Sequence, residues 1–98
     1  MYGTIFNLRV KDGHEGDLLE TMDEHSPPKE IKGAVAWFLM RPVDKNADLV
    51  GVVVFESKEA YVANANSQEQ HEAFTKMMEH LVAEPNWTDG EYIRADIT

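Results

Sequence analysis

The chain has 98 residues, no cysteine, and 18 acidic against 9 basic side chains, for a formal net charge of −9. That length suits one domain over residues 1–98 with a modest core, and the charge repels phosphate backbones and anionic headgroups, which argues against nucleic acid and membrane as partners. Cysteine-based disulfides, metal sites and nucleophiles are ruled out, and with neither a leader-like segment nor a long apolar run the expected location is the cytoplasm.

The first segment, YGTIFNLRV, alternates, with Tyr2, Thr4, Phe6, Leu8 and Val10 on one face and Gly3, Ile5, Asn7 and Arg9 on the other, as a strand does. Asp12 and Glu15 then form a capping-box pair, and Leu18, Leu19, Met22 and His25 continue at helical spacing until SPPK stops the helix. GAVAWFLMR and ADLVGVVVFE read as strands of a hairpin joined by PVDKNAD; the second is apolar on both faces, as a central strand is. Ser57 caps a short helix, KEAYVANA, and Asn66 suits its left-handed end. Ser67 with Gln70 is a second capping box, opening a helix whose stripe of Phe74, Met77, Met78, Leu81 and Val82 extends back to His71. After Pro85, the pair Asp89-Gly90 reads as a turn introducing EYIRADIT as the last strand. Arg9, Arg94 and Asp96 suit a strand-to-strand ion pair.

This order, βαββ(αα)β, predicts an α+β ferredoxin-like domain of βαββαβ type with its second helical segment split in two. Two right-handed crossovers give a four-stranded antiparallel sheet ordered 4-1-3-2 with the helices on one face. Val50, Val52 and Val54 alternate with Gly51, Val53 and Phe55, so the uncovered face is apolar as well. A homodimer closing sheet on sheet covers it.

The stretch VVVFESKEAYVANANSQEQHEAF, followed by PNWTDGEY, resembles the antibiotic-biosynthesis-monooxygenase-like family of the dimeric α/β-barrel superfamily, over essentially the whole chain. The resemblance implies a dimeric barrel with a small cavity between sheet and helices in each subunit. Members of that family include cofactor-independent oxygenases of polycyclic aromatics, haem-degrading enzymes, a signal-molecule isomerase and many without assigned function, and the fold alone does not choose among them.

Carried over from that family, the cavity lining comprises Asn7 and Arg9 on the first strand, with Tyr61, Asn64 and His71 on the paired helices and Trp37, Phe38 and Phe74 as apolar wall. His71, near a helix N-terminus whose dipole disfavours the imidazolium, reads either as a neutral proton acceptor or as a core-edge histidine bonded to a carbonyl. Asn7 reads as an amide that ligand, water or protein must satisfy. Arg9 reads as an ion-pair partner or as a carboxylate binder. His80 and Glu84, one helical turn apart, lack a third ligand, so no metal site is expected, and no cofactor.

Three functions follow as expectations. The first is a cofactor-independent monooxygenase-like enzyme for a small enolisable aromatic or polyketide-like molecule, with His71, Asn7, Asn64 and Tyr61 as its catalytic groups. The second is a noncatalytic small-ligand-binding dimer of the same fold. The third is haem breakdown, for which relatives use a first-strand Asn, a Trp and a His; Asn7 matches the first, while Asn64 and Phe74 stand at the other two positions.

Overall fold

The computed structural model describes residues 1–25, 31–44 and 47–97. Its elements are β1 (Tyr2–Leu8), α1 (Glu15–His25), β2 (Ala34–Met40), β3 (Leu49–Phe55), α2 (Lys58–Ala65), α3 (Gln68–Met78) and β4 (Asn86–Glu91). They form a 4-stranded sheet in the order β2-β3-β1-β4, the expected ferredoxin-like order, with every neighbouring pair antiparallel. The SPPK stop and Lys45-Asn46 of the hairpin loop lie outside the described residues.

Strand alternation fixes what faces the helices. Thr4, Phe6 and Leu8 of β1 are buried, and register brings Val53, Gly51 and Leu49 of β3 and then Asp89 and Trp87 of β4 beside them on the same face. At one end of this layer Leu8 and Leu49 pack with Leu18 of α1, Met77 of α3 and Leu81 into the core, where Leu8 and Leu18 are fully shielded. The other face carries Ile5, Phe38 and Met40, all exposed, beside Val50, Val52 and Val54. Among the described residues no helix is long and apolar enough to cross a membrane.

Several local expectations are corrected. Helix α1 starts at Glu15 instead of following an Asp12 cap: Gly13 turns the chain at φ 79° and the Leu18 N–H donates to the His14 carbonyl at 2.9 Å. The end of α2 needs no left-handed residue, since Asn66 has φ −91° and donates its N–H to the Val62 carbonyl at 3.0 Å. Helix α3 stops at Met78, where Glu79, His80 and Leu81 donate to carbonyls three residues back and tighten the chain into a 3₁₀-type turn. Leu81 is thereby buried and bridges Val10, while Val82 leaves the stripe at 68% exposure. Arg9 pairs with Asp48 at 3.9 Å, and Arg94 donates to the carbonyl of Ile93, so the Arg9-Arg94-Asp96 arrangement does not form.

The last strand is the largest correction. It is NWTDGE, and Asp89-Gly90 lies within its pairing with β1 instead of turning the chain ahead of it. Beyond it the Tyr92 N–H donates to the Met1 carbonyl at 2.9 Å. The Tyr92 hydroxyl shares its one proton between the carbonyls of Val53 (2.8 Å) and Thr4 (3.2 Å).

A second tie joins the start of α1 to the end of α3. The Lys11 N–H donates to the His80 carbonyl at 2.8 Å, and Nδ1 of His14 lies 3.1 Å from Nδ1 of His80, so one imidazole donates to the other.

Gly51 leaves no room for a side chain, because its partner Phe6 lays its ring over the glycine and a Cβ there would overlap that ring. Gly51→Ala is expected to destabilise the fold by about 1–3 kcal/mol through overpacking, read as a lower denaturation midpoint in urea at an unchanged slope.

Candidate functional site

Past Phe6, towards the Thr4 and Phe55 end of the sheet, the inner layer is not filled. A cavity of about 430 Å³ opens there between β1–β4 and the three helices. Its walls are mainly apolar, and the aromatic residues among them are built ring on ring. Trp87 tilts against Phe6 with centroids 5.1 Å apart, and Phe74 of α3 lies 6.2 Å from Trp87. Tyr61 of α2 meets Phe55 edge-on at 5.7 Å and Tyr2 at 5.4 Å, and Trp37 of β2 contributes a further wall.

The α2–α3 junction supplies the polar groups, and Ser67 holds it. Its hydroxyl accepts the Gln70 N–H at 3.1 Å and donates to the Asn64 carbonyl at 2.8 Å, so one side chain caps α3 and fastens the last turn of α2. The reciprocal half of the predicted capping box is not made, because the Ser67 N–H already donates to Asn64 at 3.0 Å. The Gln70 amide is left to line the cavity with Asn64 and His71. The amides of Asn64 and Gln70 and the imidazole of His71 have no hydrogen-bond partner among the described residues.

One turn back along α2 from Asn64 begins a pair that the sequence did not announce. The Tyr61 hydroxyl donates to Oδ1 of Asp89 at 3.0 Å. Burial, and then the Asp89 hydrogen bond and charge, push the Tyr61 phenol up to about 12. Asp89 reaches the wall because β4 is in register with β1, which sets it beside Thr4 on the inner face. Thr4, also on the wall and buried, donates its hydroxyl to the Thr88 carbonyl at 3.2 Å.

Of the residues expected at the site, the structure brings Tyr61, Asn64, His71, Phe74 and Trp37 to this one cavity. His71 does so from a solvent-exposed position, with neither a core-edge burial nor a carbonyl partner for its ring. Asn7, Arg9 and Phe38 do not reach it. Phe6 and Leu8 point inward, so Asn7 between them points outward, exposed beside Val50 and Asn86. Arg9, past the end of the strand, is exposed and engaged with Asp48. Trp37 faces in, so its neighbour Phe38 faces out and is 66% exposed. Asp89, Trp87, Thr4 and Gln70 are the lining residues that sequence reading missed; strand parity alone marked Thr4, since it shares a face with Phe6.

No protein-family model matches the sequence, and neither does any curated protein. Solved structures do match. A candidate antibiotic biosynthesis monooxygenase from Nitrosomonas europaea superposes with a TM-score of 0.79 at 13% identity, over 96% of this chain and 100% of that one. A protein from Arabidopsis thaliana gives 0.81 at 16% identity, over 99% and 100%. A candidate antibiotic biosynthesis monooxygenase from Bordetella bronchiseptica gives 0.78 at 17%, over 95% and 97%. This is the antibiotic-biosynthesis-monooxygenase-like fold. At such identities the likeness defines the backbone of the fold and leaves its chemistry to the side chains on the wall.

The raised Tyr61 pKa has a consequence for alkaline stability. The group contributes fully below pH about 10, where a tyrosine of the unfolded chain begins to ionise, and its contribution is lost as the pH rises through about 12. Denaturation measured at pH about 8 and about 11 should therefore show a larger loss of stability in the wild type than in Tyr61→Phe.

Proposed function

We propose that the protein is a cofactor-independent monooxygenase-like enzyme acting on a small enolisable aromatic molecule held in the sheet–helix cavity. The observation that carries this reading is the convergence of His71, Asn64 and Tyr61 on one aromatic-walled space of about 430 Å³. Flat rings of Trp87, Phe74, Phe55 and Trp37 suit a flat substrate. The fold shared with proteins named as candidate antibiotic biosynthesis monooxygenases supports the same choice.

The chemistry asked of the protein is small. His71 takes a proton from a ring methylene conjugated through an aromatic ring with a carbonyl, and the Asn64 amide donates to the oxygen on which negative charge collects. Molecular oxygen then oxidises the carbanion itself: the methylene loses its two hydrogens, one oxygen atom stays as a new carbonyl, and the other leaves in water. The four electrons given up by the carbon are those that reduce oxygen, so no external reductant enters the balance. Tyr61, with its proton given to Asp89, acts in this scheme as an acceptor and not as the donor its hydroxyl alone suggests.

The residues fit haem less well. Asn7 is on the far side of the sheet, Phe74 stands where relatives place the axial histidine, and His71 is the one imidazole on the wall, a turn earlier.

The uncovered face supports a dimer as the working unit. Ile5, Phe38 and Met40 are 42%, 66% and 60% exposed around three valines, and a second sheet closing on them removes that patch from water. Light scattering at micromolar protein should give twice the chain mass; a monomer mass removes the barrel from the proposal.

Oxygen uptake with anthrone, an enolisable tricyclic ketone, tests the activity. His71→Ala is expected to lower the turnover by about 100-fold or more while the dimer stays folded. A folded variant with undiminished turnover refutes His71 as the base. Binding of anthrone without oxygen uptake above the enzyme-free rate would make the protein a noncatalytic ligand-binding module.

A further inference from the structure

The charge around the cavity is one-sided. Among the described lining residues there is no lysine or arginine, and Asp89 is the one acidic side chain. Its Oδ1 accepts from Tyr61, while its second oxygen has no hydrogen-bond partner among the described residues. Tyr61 has given its single proton to Asp89, so what its oxygen shows the cavity is lone pairs. The high phenol pKa keeps that proton in place at neutral pH. This end of the cavity is therefore built to accept hydrogen bonds. Asn64 and Gln70 can donate or accept and so do not discriminate, and His71, the other titratable group on the wall, is exposed, as Asp89 is.

We propose that the cavity selects an aromatic molecule whose polar end is a hydrogen-bond-donating hydroxyl, held by the free oxygen of Asp89 and by Tyr61, and rejects the corresponding carboxylate. The proposal rests on the reading of this cavity as the ligand site and names the substrate class within it. A hydroxyl gives the Asp89 oxygen a donor at the exposed rim of the cavity, through a charge-assisted bond. A carboxylate in the same place would meet a like charge with no fixed cation on the wall to offset it, in a chain whose net charge of −9 already opposes the approach of anions. Asp89 is thus a specificity-determining residue, with Tyr61 fixing which way its carboxylate is used.

The test uses three probes of one shape: 2-naphthol, which donates; 2-methoxynaphthalene, which cannot; and 2-naphthoate, which is anionic. The two tryptophans, Trp37 and Trp87, both stand on the cavity wall, so their indole N–H resonances report occupancy. Titrations followed by NMR should place 2-naphthol about tenfold tighter than 2-methoxynaphthalene, with 2-naphthoate weakest. In Asp89→Asn, folded by the dispersion of its amide spectrum, the advantage of 2-naphthol should shrink to about twofold and 2-naphthoate should gain affinity, because the new amide donates. Tyr61→Phe, which keeps the ring and its packing, should likewise weaken 2-naphthol against 2-methoxynaphthalene. Equal affinities for all three probes would overturn the selection and leave the cavity as a ligand site. A wild type that prefers 2-naphthoate, or a ranking unmoved by Asp89→Asn, would overturn it too. If no probe moves either indole, the cavity reading fails and the proposal falls with it.

Discussion

The inner layer turns on the Phe6 ring lying over Gly51. Phe6 belongs both to the packed core and to the cavity wall, and Met77 on α3 is its counterpart from the helical side. On one side of this pair the layer is filled by leucines; on the other it is hollow and lined by rings. A side chain at position 51 would compete for the volume the ring occupies, and a displaced Phe6 would disturb Trp87, which leans on it at 5.1 Å. One missing Cβ thus lets a strand-centre aromatic lie down, and the boundary between stability and function runs through that residue.

The site combines a rigid half and an adaptable half. Tyr61, Asp89 and Thr4 are bonded to one another's elements and sit against the central strand, where register holds them. Asn64, Gln70 and His71 hang from the junction that Ser67 fastens, with their backbone fixed and their side-chain ends unengaged. Such a division suits a pocket that recognises one end of a ligand by fixed acceptors and adjusts to the rest through groups whose hydrogen-bonding sense is free.

Much of the fold was legible in the sequence, because strand β3, both helix caps at Ser57 and Ser67, and the strand order follow from patterning and cap chemistry that tertiary structure left alone. Strand β4 was not, since NWTDGE is polar, exposed at every position and contains a dipeptide that elsewhere turns the chain; only its pairing with β1 makes it a strand. That one error hid Trp87 and Asp89. The Asn7 and Arg9 assignments failed for the opposite reason. Alternation along β1 had already separated Asn7 from Phe6, and an assignment carried over from family resemblance set that parity aside. Trp37 and Phe38 differ by the same single step, which leaves one of two adjacent aromatics in the cavity and the other on the open face.

The central position of β1 also orders events in time. One of its edges is taken by β3 near the middle of the chain, but the other waits for β4, as the Thr4–Thr88 bond across 84 residues records. During synthesis β1 leaves the ribosome well before β4, so its second edge is sealed late. Until β4 emerges, its free edge, with Phe6 beside it, is open to pairing with a neighbouring nascent chain, and the acidic surface of the molecule is what keeps such neighbours apart.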